Sequence, residues 1–384
     1  MKKIVLIGVG ETPMGNSNGL STLELQAQAS MAAIRDAGLS KNQIDGLIVA
    51  PSIADNFMMP SMTLADYLGM PNLNYSTSLA LGGIGGCAMV QQAMMAINCG
   101  MCSTVLIVGG EARISSKGRK SMVESLAGVG HPQYEVPFGA FIPACYALIA
   151  KRHMHEYGTT PEDLASVAVT MRSHAMKNPL AQYRDPLTLD GVLSSKMIAD
   201  PLHMFDCAGV ADGVAALIVS SSENARGTRN TAVELLGWGE GYTHEYISSA
   251  PSLTTMGCVE SGKKAFRRAG VTPSDMDGAM LYDCFTITVL IELEDLGFCE
   301  KGESGSLARA GEIALGGKLP VNTHGGLLSC GHSGGGISVA HVTEAVRQLR
   351  HEAGDRQIPD AELICVHGNS GIMSAHSTLI LGRA

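Results

Sequence analysis

The strongest constraint on the fold is a concealed repeat. Ala33–Ala50 lies over Ala265–Tyr282 without a gap, and six of the eighteen positions are identical: Ala33/Ala265, Arg35/Arg267, Ala37/Ala269, Gly38/Gly270, Asp45/Asp277 and Gly46/Gly278. Upstream, Ile7-Gly8-Val9-Gly10-Glu11 is echoed by Leu236-Gly237-Trp238-Gly239-Glu240. Downstream, Gly82–Asn98 matches Gly331–Leu349, Val105–Gly110 matches Leu363–Gly368, and Val214–Ser221 matches Ala375–Gly382. Repeats of this length are not solenoid units. They predict a duplicated α/β domain with a mostly parallel sheet in each half. The halves run over residues 1–225 and 226–384, and an insertion of about 111–206 interrupts the first. Loops made equivalent by duplication face each other across a pseudo-twofold axis. That places the Gly82–Gly86 turn and Cys330–His332 at one shared site.

Composition narrows the partners. The 384 residues are 45% hydrophobic and 16% charged, enough to bury a large interior as two fused units. A net charge of −9 excludes nucleic acid as the main partner, since phosphate backbones need a basic face. No run of eighteen apolar residues occurs, so no membrane insertion is expected. The apolar run Ile4–Val9 is too short for a signal-peptide core. Ten cysteines without a disulfide spacing predict a reduced, cytoplasmic protein. Cys99-Gly-Met-Cys102 is a lone CxxC without the second pair of a zinc site, and no metal is expected.

The predicted elements follow the repeat. Ile4–Val9, Leu47–Ala50, Leu73–Ser76 and Thr104–Val108 read as strands, with Thr104–Val108 or Leu73–Thr77 as a sheet edge that a homodimer would cover. Leu23–Ala37, Met62–Leu68 (Ser61 as N-cap) and the stretch after Gly86 read as helices. The insertion carries a helix over Pro143–Tyr157 and a cap signal at Thr160–Asp163. Near its start stand Arg113, Lys117, Arg119 and Lys120, a basic cluster able to meet phosphates.

Chemistry concentrates in Asn322–Gly336, where six glycines in fifteen positions surround Cys330 and His332. A helix is predicted after it, Ile337–Arg350. An imidazole, a thiol and free N–H groups at a helix entrance suit a carbonyl oxygen that becomes negative. The bland reading is a glycine turn around a buried cysteine.

These residues resemble the thiolase superfamily, within it the sterol-carrier-protein type and its thiolase-like lipid-transfer relatives. Cys330-Gly331-His332 is similar to that type's Cys-Gly-His-Pro motif, and Tyr282-Asp283-Cys284-Phe285 to its His-Asp-Cys-Phe motif. Ala211–Ala216 resembles the superfamily's Ser-Asp-Gly-Ala-Ala-Ala stretch, and His367–Gly371 its final glycine loop. The resemblance covers the whole chain. It implies a five-layered αβαβα thiolase-like fold with a loop-domain insertion, a homodimer, and acyl-CoA substrates, with coenzyme A as part of the substrate and no other cofactor. Three positions depart from the pattern. Counted back from Gly100, the slot of the nucleophilic cysteine holds Gly83, with Cys87 one turn further on. Tyr282 replaces the type's histidine, and Ser333 its proline.

Without a cysteine nucleophile no acyl group can rest on sulfur between half-reactions. What remains suits aldol cleavage of a β-hydroxyacyl-CoA: Tyr282 takes the hydroxyl proton, His332 holds the enolate, and Cys330, its pKa lowered by His332 and the helix end, protonates it. Relatives of this kind often work with a small OB-fold/zinc-ribbon partner protein. Asp283 either takes part or anchors its loop, and His324 and His367 are further candidates for the pocket wall. Two other classes stay open. One is a true thiolase or acyltransferase with Cys87 or Cys330 as nucleophile. The other is a non-catalytic acyl-CoA or lipid binder.

Overall fold

The computed structural model describes residues 2–55, 57–117, 129–139, 141–225 and 228–384. The first half runs β1 (Ile4–Glu11), α1 (Thr22–Asp36), β2 (Gly46–Val49), α2 (Pro60–Leu68), β3 (Tyr75–Ser78), α3 (Gly85–Asn98) and β4 (Thr104–Ala112). Next come the short α4 (Arg113–Lys117), α5 (Ile142–Tyr157), α6 (Pro161–Ala175), α7 (Leu189–Leu193) and the small hairpin β5 (Met197–Ala199) and β6 (Leu202–His203). β7 (Asp212–Ser221) closes this half. The second half runs β8 (Val233–Tyr242), α8 (Cys258–Ala269), β9 (Gly278–Leu281), α9 (Thr286–Asp295), α10 (Ser304–Arg309), α11 (Val339–Leu349), β10 (Leu363–Ser370) and β11 (Ala375–Arg383).

The strands line up as β3-β2-β4-β7-β1-β8-β11-β10-β9. Read outward from the β1–β8 contact, each half has the same order. In place of a partner for β3, Val321 bridges Ala279 beside β9. Strand faces alternate between two cores. Ile4, Leu6, Val105 and Ile107 belong to one, and Val5, Ile7, Leu106 and Val108 to the other. Burial on both faces accounts for the unbroken apolar runs. Helix α1 covers the outer face of β1, β4 and β7, and α8 covers β8 and β11. Helices α3 and α11 touch strands of both halves and form the middle layer. The result is helix, sheet, helix, sheet, helix.

The repeated residues do the same work twice. A Cβ on Gly8 would sit 2.5 Å from the Ala33 carbonyl, and one on Gly237 would sit 2.2 Å from that of Ala265. Helix and strand therefore approach closely enough, once per half, that only glycine fits. Asp45 accepts the amides of Ser103 and Thr104 at the start of β4, and Asp277 accepts those of Glu362 and Leu363 at the start of β10.

Three expectations are corrected. The sheet is mixed rather than mostly parallel: β1–β7, β4–β7, β8–β11 and β10–β11 are antiparallel. Only residues 371–374 separate β10 from β11, too few for a crossover. Thr104–Val108 is not an edge, because β4 pairs with both β2 and β7; the open end in the first half is β3. Ser61 lies inside α2, which starts on Pro60, a residue suited to the first helical position. Among the described residues no helix is long and apolar enough to cross a membrane.

Candidate active site

The two glycine turns meet. A Cβ on Gly335 would lie 2.5 Å from Gly82 Cα, and Gly86 N donates to Ser338 Oγ at 2.7 Å. Tyr282 is delivered to this junction by the carboxyl end of β9, the edge where a parallel β–α arrangement opens its ligand crevice. Asn322, at φ 51°, fixes that strand end by accepting Leu281 N and donating to Leu281 O, both at 2.7 Å. The Tyr282 ring fills the space beside Gly83. A Cβ at Gly83 would lie 2.5 Å from Tyr282 Cζ and 2.0 Å from the Asn369 carbonyl. The slot of the missing nucleophile is therefore closed.

Tyr282 Oη and His332 Nε2 are 3.0 Å apart. Gly334 N–H donates to His332 Nδ1 at 3.3 Å, so that nitrogen is the acceptor. Burial, and then the Arg113 guanidinium, hold His332 down to about 3, so the ring is neutral with its proton on Nε2. That N–H donates to Tyr282 Oη and leaves the phenol's own proton free for another acceptor. Burial, and then Cys284, push the phenol up, which keeps Tyr282 a neutral donor.

The insertion holds the turn that carries Cys330 and His332. Gln182 N and Tyr183 N donate to the carbonyls of Cys330 and Ser329, at 2.9 and 3.0 Å. Arg172 Nε reaches Ser329 Oγ at 3.1 Å, and just beyond the insertion Gly209 O accepts His332 N at 2.9 Å. The Cys330 thiol faces Asn178 Nδ2 at 3.7 Å, and no hydrogen bond joins it to Tyr282 or His332 among the described residues. Its pKa is raised rather than lowered, first by burial and then by Glu11. Helix α11 begins at Val339, beyond a short turn over Gly335–Ser338, so the helix end does not abut the thiol.

Other sequence candidates fall elsewhere. Cys87 is 1% exposed, its thiol 3.7 Å from the Val366 carbonyl, and burial pushes it up; it is a core residue. His367 faces the outer helical layer, not the Tyr282 pocket. There it forms, with Cys258 and His376, a buried group close enough to hold a metal ion. Every ring nitrogen in that group already has a partner: His367 Nδ1 with Thr378 Oγ1 (2.8 Å), His367 Nε2 with His376 Nδ1 (3.1 Å), and His376 Nε2 with Met373 O (2.9 Å). Arg113, expected at the phosphates, is 7% exposed and donates to Glu111 Oε1 at 2.8 Å. Its charge adds to the lowering of His332 and works against the net rise of Tyr282. Lys117 ends α4, and Arg119 and Lys120 lie outside the described residues.

Asp283 does anchor its loop, taking Leu327 N at 2.7 Å and Leu328 N at 3.3 Å. Behind it stands a residue the sequence did not mark, His341 of α11. Its Nε2 is 3.5 Å from Asp283 Oδ1, its ring lies 6.1 Å from that of Tyr282, and His324 packs edge-on against it at 4.9 Å. Glu292 was also missed, and Asn369 stood in the His367–Gly371 stretch without a role of its own. Asn369 Nδ2 donates to the Tyr282 carbonyl at 3.2 Å and to Glu292 Oε1. For His341 the available signal was the predicted helix Ile337–Arg350, which carries His341, Thr343, Glu344 and Gln348 among apolar residues, since such side chains need partners once buried.

Comparison with known proteins agrees with this architecture. Residues 4–223 match the family model "Thiolase, N-terminal domain", and residues 239–383 match "Thiolase C-terminal domain-like". The steroid side-chain-cleaving aldolase of Thermomonospora curvata is 35% identical, the match covering 98% of this chain and 97% of the relative. The acetyl-CoA acetyltransferase of Methanothermobacter thermautotrophicus is 33% identical over 98% of this chain and 99% of its own. The solved Ltp2-ChsH2(DUF35) aldolase superposes with a TM-score of 0.87 at 32% identity, covering 99% of this chain and 98% of that one. With both family models matched along nearly the whole chain and the strand order repeated in each half, this protein belongs to the thiolase family.

Proposed function

We propose that this thiolase-family enzyme cleaves the Cα–Cβ bond of a β-hydroxyacyl-CoA by a retro-aldol reaction, with no covalent acyl intermediate. One observation carries the reading: Gly83 stands at the nucleophile's position, and the Tyr282 ring and the Asn369 carbonyl occupy the room a side chain would need. The phenol that closes the slot is the group left to act on substrate. His332 Nε2–H fixes its oxygen, and its free proton is available to an oxygen on which negative charge develops as the bond breaks. The similarity to the T. curvata aldolase and to the Ltp2-ChsH2(DUF35) aldolase supports this chemistry and a small partner protein. Lys117, Arg119 and Lys120 are the proposed contacts for the CoA phosphates. The open end at β3 is where a second copy would extend the sheet into a homodimer. Ten free cysteines fit a reducing compartment, the cytoplasm.

The test is product analysis. Incubation with β-hydroxyacyl-CoA thioesters, including one with a steroid side chain, should release a carbonyl compound and a shortened acyl-CoA in equal amounts, with no mass increase of the protein. An acetyl adduct on incubation with acetyl-CoA, with formation of acetoacetyl-CoA, would favour the acetyltransferase reading instead. Binding without either product would leave a lipid carrier.

A further inference from the structure

Retro-aldol cleavage needs a base for the β-hydroxyl proton, and the residues singled out by sequence do not supply one. Tyr282 is a neutral phenol. His332 has Nδ1 occupied by Gly334 N–H and its proton directed at Tyr282. Cys330 is a buried thiol turned toward Asn178.

His341 is different. It is 1% exposed, and its Nδ1 has no hydrogen-bond partner among the described residues. A buried polar group left unmatched gives up its hydrogen bonds to water with nothing in return. Such a group inside a site points to a ligand or a proton that arrives during turnover. Its surroundings are those of a base. Asp283 Oδ1 lies 3.5 Å from Nε2. That carboxylate is held in place by Leu327 N and Leu328 N and cannot swing away. A carboxylate beside Nε2 favours the tautomer with the proton there, leaving the Nδ1 lone pair open, and it stabilises the imidazolium once formed. On the other sides are the Tyr282 ring and the His324 ring, the latter with its own buried, unpartnered Nδ1.

Resting on the retro-aldol reading above, we propose that His341, oriented by Asp283, is the catalytic base of the cleavage step. Nδ1 takes the β-hydroxyl proton, and the O–H electron pair becomes the new C=O bond. The Cα–Cβ pair moves into the enolate, whose oxygen accepts the Tyr282 proton as a hydrogen bond. His341 then returns its proton to the α-carbon. The hydroxyl proton has moved to carbon, and both side chains end as they began.

Two measurements on the full-length enzyme test this. The first needs no turnover. Nitrogen-15 spectra of histidine-labelled protein should show His341 protonated on Nε2 and bare on Nδ1, and Asp283→Asn should weaken that preference. A resting ring protonated on Nδ1 overturns the proposal. The second uses a β-hydroxyacyl-CoA that the wild type cleaves, such as β-hydroxybutyryl-CoA or a steroid side-chain thioester. His341→Gln should lower kcat by about a hundredfold or more. His341→Ala should regain activity with added imidazole, which a purely structural histidine would not, and Tyr282→Phe should not be rescued. Wild-type-like kcat in His341→Gln overturns the base assignment and leaves the retro-aldol reading standing. An acyl adduct with no cleavage overturns the reading itself.

Discussion

Placing a side chain at Gly83 is the sharpest perturbation of this site. In Gly83→Ala the new Cβ meets two obstacles of different kinds: the Tyr282 ring, with Cζ at 2.5 Å and Cε1 at 2.7 Å, and the Asn369 carbonyl at 2.0 Å. A ring can tilt, but this one is buried and tied to His332 at 3.0 Å. A strand carbonyl cannot move without its sheet. Overpacking in cores costs roughly 1–3 kcal/mol, and contact with fixed backbone puts this case at about 3 kcal/mol or above. Thermal and urea unfolding of Gly83→Ala, Tyr282→Ala and the double variant form a cycle. Gly83→Ala should cost about 1 kcal/mol less in the Tyr282→Ala background, because one obstacle is gone while Asn369 remains. The decisive companion is Gly83→Cys, which restores the residue type of a thiolase nucleophile. It should be destabilised and should take up no acetyl group from acetyl-CoA by intact mass. Equal costs in both backgrounds, or a Gly83→Cys protein that is stable and readily acetylated, would show that Tyr282 does not close the slot.

Other perturbations have expected outcomes of their own. Tyr282→Phe keeps the ring and removes the hydroxyl, so kcat should fall about 10²–10⁴-fold with little change in melting temperature, measured by acyl-CoA release. Cys87→Ala should leave kcat within twofold and cost roughly 1 kcal/mol as a small core truncation, read by urea unfolding. His174 and His376, each held down to about 4 chiefly by burial, stay neutral in the fold while protonating freely in the unfolded chain. Stability should therefore be lost as pH falls from about 6.5 toward 4, by about 1.4 kcal/mol per pH unit for each. The raised carboxyls of Asp283 and Asp295 act in the opposite sense, so the check is the change in slope when His174 is replaced by Gln. Sedimentation at micromolar concentration should show a dimer, and a monomer would remove β3 as an interface.

The sequence by itself determined the duplication. Gly8 and Gly237, Ala33 and Ala265, and Asp45 and Asp277 perform the same packing and the same strand-start hydrogen bonds in each half. Such local, repeated constraints leave residue identities that can be matched by eye. The meeting of the Gly82–Gly86 turn with the glycine turn of the second half also followed from it, because equivalent turns in the two halves meet at the middle. Strand direction did not, since apolar runs buried on both faces read alike whether the neighbour is parallel or antiparallel. Nor did the state of each site residue. Whether Cys330 is an activated thiol or an inert one depends first on its burial and then on Glu11, a residue far from it in the chain. Whether Arg113 meets a phosphate or Glu111 depends on a side chain's direction, and His341 acquires its place only when α11 sets it behind Asp283. Residue type and spacing can mark where chemistry gathers. Proton positions and basicity are set by burial and by neighbours that only the tertiary fold brings together.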